Sequence, residues 1–477
     1  MPGKIDLKNQ KQEEKMKKLW IVLLSVALIM AFTLPVSAAD VKFSGSYVAQ
    51  GYYDNNRVLM KEGGSSVMNT WQRLRIQTDF QVQEGLKLTT KFDAMEKIWG
   101  ASRSATYPTS YSSIGVQNTG SGEAENIKFR EAYVTANLWG GILRVGYQQQ
   151  NQWGTSFADY GDYGYGARIR YDYVVGPWTF LALYDKVEGT QYYAPAGPAG
   201  NVGVATYQVD QETDKYSLAF IYNWGKGNTG LLFQYVNDST GSMAGYLGQT
   251  PNPATDLGYK RQWYAFLPYV KAQLGPVYVE AEVVYLAGKT RKYDTAGNGT
   301  DRTKDGLSGY ASATVDFAPM YAGLTLVFVA GDDLSTNDKD EAGFPGVTDF
   351  NPLLILWNYD LQRWNGAIGP NGGISMASGI MNAQVAQVFV GVKPIPKLDV
   401  KASYAIAQAD KDGAATGWQS KNYGSELDIT ATYKIYDNLS YMVGFAYLWA
   451  GDYFKGTNAG VQIDNDYLVT HKLTLTF

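Results

Sequence analysis

The chain has 477 residues with 41 basic and 45 acidic side chains, a formal charge of −4 with its single histidine neutral, and no cysteine. The missing cysteines exclude disulfides, thiolate metal sites, cysteine nucleophiles and covalently attached c-type haem, and the acidic balance argues against a nucleic-acid partner. Mean hydropathy is −0.25 and no apolar stretch of spanning length follows residue 38, so residence in a membrane would require a closed barrel, the other structure that satisfies its own backbone in lipid.

Taken in chain order, residues 1–15 are polar and charged and read as an over-extended start. Met16-Lys17-Lys18 then forms a basic region, Leu19 to Leu34 an apolar one, and Val36-Ser37-Ala38 supplies small residues at a cleavage site. Together 16–38 read as an export signal, because the apolar run falls short of the ~20 residues that a spanning helix needs. Residues 1–38 carry six lysines and three acids, so the mature part, 39–477, has 35 basic against 42 acidic residues, a net of −7. We expect that part to be a single domain.

From Val41 onward the chain alternates apolar and polar positions in segments of about ten to fourteen residues, the period of a strand with two different faces. In Arg73–Val82, Leu74, Ile76, Phe80 and Val82 share one face, while Arg73, Arg75, Gln77, Asp79 and Gln81 share the other. Eight tight turns follow in order at 83–86, 139–141, 175–177, 224–228, 274–276, 318–321, 393–397 and 436–439. Nine longer connections separate them, from Asp54–Val67 to Gly451–Asn465, and the longest is 332–382. The pattern predicts an all-β, antiparallel up-and-down transmembrane barrel of about eighteen strands, with sixteen as the alternative. Trp139, Trp178 and Trp224 flank tight turns, and Trp71, Trp99, Trp153, Trp263 and Trp449 lie at strand ends beside long connections. This placement predicts an aromatic girdle at each rim rather than a soluble core.

The last eleven residues, Tyr467 to Phe477, alternate in the same way and stop on phenylalanine. A terminal phenylalanine closing such a strand resembles the carboxyl-terminal signature of Gram-negative outer-membrane β-barrel proteins. The hairpin Glu426–Trp449, with its Glu-x-Asp start, Asp-Asn-Leu-Ser turn and Gly-Phe-Ala-Tyr run, further resembles porins of the alginate-export type. The general resemblance implies an integral outer-membrane protein with short periplasmic turns, long extracellular loops and both termini periplasmic. It implies partners as well: outer-membrane lipid and lipopolysaccharide, the barrel-assembly machinery, which would read Phe477 as the assembly and closure residue, and a homotrimeric assembly.

A barrel of this size is too wide for side chains to fill, so a water-filled channel for small hydrophilic solutes and ions is expected. A substrate-selective channel, a polysaccharide exporter, or a barrel serving as adhesin or scaffold are the alternatives. Strands two to six direct Arg73, Arg75, Lys87, Lys91, Arg130, Arg144, Arg168 and Arg170 inward, and later strands direct Glu280, Glu282, Asp316, Glu426 and Asp428 inward. Opposed basic and acidic walls would set a transverse field across the lumen. Of the two candidate constriction loops, Lys97–Glu125 and 332–382, the second is favoured, since its apolar centre Pro352–Trp357 is hard to leave in water.

An enzymatic role finds no support: His471, the one imidazole, falls on the lipid side of the last strand with no serine-hydrolase motif nearby. Gly225–Gly230 lacks Walker spacing, and the acids of 332–341 lack the glycine and terminal glutamate of a Ca²⁺ loop. No metal and no cofactor is expected.

Overall fold

The computed structural model describes residues 40–62, 66–100, 127–159, 164–192, 209–239, 259–293, 299–343, 350–358, 380–413 and 416–477. The predicted export signal, most of the Lys97–Glu125 loop, and 344–349 and 359–379 of the 332–382 loop lie outside them.

Eighteen barrel strands are present among the described residues: β1 (Asp40–Asp54), β2 (Val67–Gln83), β3 (Leu86–Ile98), β4 (Lys128–Leu138), β5 (Gly141–Gln149), β6 (Tyr165–Val175), β7 (Trp178–Tyr192), β8 (Val209–Asn223), β9 (Gly227–Asp238), β10 (Tyr259–Leu274), β11 (Val277–Tyr293), β12 (Arg302–Phe317), β13 (Met320–Val329), β14 (Ala383–Ile395), β15 (Leu398–Gln408), β16 (Asn422–Tyr436), β17 (Leu439–Ala450) and β18 (Asp466–Thr476). Each pairs antiparallel with its sequence neighbours, and β18 pairs with β1, so the sheet has no free edge. A closed ring leaves no row of backbone N–H and C=O groups that would need water. A two-residue piece, Lys339–Asp340, lies parallel to Thr303 and Lys304 of β12 within the β13–β14 connection. Eight connections are tight and share one end of the barrel, and the nine long ones share the other.

The faces follow the alternation. On β16 and β17 the outward register pairs Ile429 with Phe445, Ala431 with Val443 and Tyr433 with Tyr441, and their large side chains are exposed on the outer surface. On the same strands Glu426, Ala446 and Leu448 are fully buried toward the interior. His471 stands beside the outward ring of Tyr441, 6.0 Å between centroids. At the turn end Trp178 packs against Phe180 and Tyr222, Tyr222 packs against Trp224, and Trp139 is exposed.

At the loop end the tryptophan expectation is corrected. Trp99 and Trp449 are exposed, but Trp71, Trp153 and Trp263 point inward. Trp71 shares the parity of the inward Arg73 and Arg75 on β2, and Trp263 that of the buried Ala265, Leu267 and Tyr269 on β10, so strand alternation itself turns both inward.

Closure extends past the last strand. Phe477 N–H donates to Gly45 O at 3.0 Å, and Gly45 N–H returns to Phe477 O at 2.8 Å. A Cβ at position 45 would sit 2.3 Å from Arg75 O and 2.7 Å from the Phe477 ring, so only glycine lets the terminal ring lie over this point of the seam.

Candidate functional site: a lumen narrowed by two inward loops

The β5–β6 connection turns into the barrel. Trp153 Nε1 donates to Leu267 O on β10 at 2.7 Å, and its ring meets Tyr269 edge-on at 5.3 Å. Thr155 then caps a single 3-10 turn, Ser156–Ala158, by accepting from Phe157 N–H at 3.0 Å. Its own N–H and hydroxyl donate to Glu282 on β11, at 2.7 and 2.6 Å. Gly154, at φ 56°, sits where a Cβ would lie 2.5 Å from the same carboxylate. A side chain would force the loop off its anchor.

The β13–β14 connection enters from the other side and carries the apolar run. Ile355 and Leu356 donate their N–H groups to the two oxygens of Glu426 on β16, at 2.5 and 2.8 Å. Gln387 Nε2 holds Pro352 O at 2.8 Å, and Asn358 Nδ2 ties back to Leu353 O at 2.8 Å. Leu353, Ile355, Leu356 and Trp357 are buried. The two loops meet through Phe157 and Phe350, whose rings lie T-shaped at 5.3 Å, with Tyr310 of β12 against both. The expectation that Pro352–Trp357 would not stay in water therefore describes its position, whereas the inward β5–β6 loop was not foreseen. The signal for it was the same, Trp153 and Phe157 in an otherwise polar connection.

The β17–β18 connection caps this cluster from the loop end. Its short helix, Asp452–Lys455, buries Tyr453 and Phe454, and Tyr423 bridges Tyr453, at 4.3 Å, to Trp357, at 5.0 Å. Burial in that cap pushes the Tyr453 phenol above its ordinary range.

The basic residues read from the sequence occupy one inner arc, from β2 to β6, and most are ion-paired. Asp93 accepts from Arg75 Nε and Nη2, at 2.7 and 2.9 Å, and from Arg130 Nε at 2.7 Å, while Arg130 also reaches Glu96 at 3.2 Å. Lys87 pairs with Asp79 at 3.3 Å, and Lys91 with Glu131 at 2.5 Å. Asp172 takes both Arg170, at 2.7 Å, and Arg144, and Arg168 binds Asp185 with both prongs, at 2.5 and 2.8 Å. Arg73 lies over the Trp71 ring at 5.8 Å. With Lys128 the arc holds nine cations against the six carboxylates just named, so it keeps an excess of three positive charges.

The acidic residues are arranged differently. Glu282 and Glu426 lie beneath the two loops as anchors, Asp428 is buried beside Ser403 Oγ at 3.5 Å, and Glu280 accepts from Tyr310 OH at 2.5 Å. Asp316 stands apart, exposed near the tight turn at Ala318-Pro319. These roles as loop acceptors were not legible from strand parity, because the donors come from connections far away in sequence. Four of the five acids of 332–341 are occupied locally. Asp332 pairs with Arg302 at 2.5 Å, Asp340 with Lys304 at 2.8 Å and Glu341 with Lys411 at 4.0 Å, and Ser335 hydrogen bonds hold the Asp333 carboxyl below its ordinary range.

No protein-family model and no curated protein matches the chain. Among solved structures it is similar to Pseudomonas aeruginosa OpdK with vanillate, at 11% identity and TM-score 0.50 over 91% of this chain and 98% of that one. A second structure, the outer membrane protein opdK from the same organism, gives 12% identity and TM-score 0.49 over 91% and 99%. The outer membrane channel DcaP of Acinetobacter baumannii gives 12% and 0.42 over 92% and 98%. At such identities the correspondence is one of architecture: the chain has the closed antiparallel β-barrel fold of porins.

Proposed function

We propose that the protein is an outer-membrane porin, a water-filled channel for passive diffusion of small hydrophilic solutes and ions, narrowed in mid-barrel by its β5–β6 and β13–β14 loops. The observation that carries this reading is the reversal of faces. The outer surface is a band of exposed apolar and aromatic side chains, and the inner wall is charged and hydrogen-bonded. In this reading residues 16–38 direct export, the short turns and both termini are periplasmic, and lipid and lipopolysaccharide cover the outer band. Phe477 is the residue read by the barrel-assembly machinery, and the barrel works without catalytic chemistry, as a monomer or a homotrimer.

The arc from Arg73 to Arg170 and the carboxylates Glu280, Glu282, Asp316, Glu426 and Asp428 would set a field across the pore. The excess of three positive charges on the basic arc favours anions along that side of the pore. A substrate-selective channel is favoured over a polysaccharide exporter by the docked loops, since a threading polymer needs a continuous open polar path. The OpdK structure named above holds a molecule as small as vanillate.

Reconstitution in planar bilayers tests both statements. The protein should give stepwise currents, and replacing Arg73, Arg75 and Arg170 together with glutamine should move the reversal potential in a salt gradient toward cation preference. Absence of steps would leave a scaffold or adhesin as the reading, and an unchanged potential would remove these arginines from the conducting path.

A further inference from the structure

Behind the β5–β6 loop the inner wall changes character. Successive register partners run Asp172, Leu181, Ala219, Leu232 and Leu267 across β6 to β10. Four adjacent strands thus place an aliphatic side chain at one level of an otherwise polar lumen. Leu183, Ile221 and Val284 widen this belt, and the ring of Trp153 closes over it, fixed by its bond to Leu267 O. Between belt and loop lies a cavity of about 510 Å³, within the range of about 300–1,000 Å³ usual for small-molecule sites.

Each cation lining this cavity already faces a carboxylate. Arg168 is held by Asp185, and Arg170 by Asp172, which also takes Arg144. Lys271 lies near the Tyr269 ring, 5.8 Å from its centre, and within electrostatic reach of Glu282, with Asp159 also in the lining. An incoming anion would find its partners taken, and a sugar would leave the aliphatic belt uncovered. The polar side supplies mainly neutral groups instead, Ser217 Oγ and Gln234, bonded to one another at 3.1 Å, and the side chains of Gln152 and of Asn151, whose Oδ1 accepts from Lys215 Nζ at 3.2 Å.

From this pairing of an apolar belt with neutral polar groups we infer that the cavity is a binding site for uncharged single-ring organic molecules carrying hydroxyl substituents. Such a molecule lays its ring on Leu181, Leu232 and Leu267 under Trp153 and turns its hydroxyl toward Ser217 and Gln234. The inference deepens the channel reading by naming the class of solute that pauses in the pore, and rests on it for that role.

Calorimetric titration of the detergent-solubilised barrel with 4-hydroxybenzyl alcohol, 4-hydroxybenzoate and glucose tests it. The expected result is saturable binding of the alcohol, weaker binding of the benzoate and none of glucose. Leu183→Asn and Leu232→Asn should each weaken the alcohol about tenfold by removing apolar contact. Ser217→Phe, which fills the cavity while leaving the belt apolar, should abolish binding even where an asparagine variant fails to fold. Binding of the benzoate as tightly as the alcohol, equal binding by wild type and Ser217→Phe, or no saturable binding of the alcohol would overturn the inference. Titration in detergent does not require conduction, so a barrel that conducts without binding sinks this site alone, and one that binds without conducting sinks the channel reading.

Discussion

Replacing Glu426 with alanine is expected to raise the single-channel conductance about two- to threefold and to add flicker to the open state, because it frees the segment that narrows the lumen. The Glu426 carboxylate is fully buried and accepts both the Ile355 and the Leu356 N–H groups. Alanine removes two hydrogen bonds at once and leaves two buried backbone donors without an acceptor, a loss of roughly 3 kcal/mol or more. That is about a hundredfold in the ratio of docked to released loop. Contacts elsewhere keep part of the docked population, namely the Gln387 bond to Pro352 O and the packing of Trp357 against Tyr423. Glu426→Gln should fall between, since an amide offers one oxygen to one N–H and turns its own NH₂ against the other. Conductance in Glu426→Ala equal to that of wild type would mean that the segment does not narrow the conducting path.

Arg168→Met is expected to destabilise the barrel by about 3–5 kcal/mol, far more than a surface charge would. Its partner Asp185 is fully buried, and both its oxygens are taken by Arg168. Without the guanidinium a carboxylate remains inside with no cation bonded to it, and Gln149 O, which Arg168 Nη1 reaches at 2.9 Å at the start of the inward loop, loses that donor as well. Arg168→Met combined with Asp185→Leu should recover most of the loss, because exchanging a whole buried pair for apolar side chains costs little. Urea unfolding followed by tryptophan emission reads the difference. If the single variant unfolds at the same urea concentration as wild type, the pair is not as dry as its burial implies.

Much of the architecture was legible because a two-faced strand needs nothing beyond its own residues to declare itself. Arg73 to Val82 and Glu426 to Lys434 carry their faces in alternation, and the turns at Trp139, Gly176 and Asp437 punctuate them. The burial of Pro352–Trp357 was legible on the same footing, as a local apolar run in a polar connection. Trp71 and Trp263 were misread because nearness to a strand end was weighed above alternation, which sets Trp71 on the face of Arg73 and Arg75 and Trp263 on that of Ala265 and Leu267. The inner carboxylates were legible as inward-facing and illegible as anchors. Glu282 is 127 residues from Thr155, and Glu426 is 71 residues from Ile355. Nothing in either pair's neighbourhood predicts the other, because the barrel's closure is what brings the loops back onto the wall.

The absence of native cysteine opens a direct test of the two-loop constriction. Ile355, fully buried against Glu426, can be replaced by a single cysteine and compared with a single cysteine at Leu334, exposed in the same connection. In reconstituted vesicles a membrane-impermeant maleimide should label position 355 roughly a hundredfold more slowly than position 334, since reaction must wait for the loop to open. Adding Glu426→Ala should erase most of that protection. Equal labelling at 355 and 334 in the otherwise native barrel would contradict the account, because the apolar segment would then lie in water rather than across the lumen.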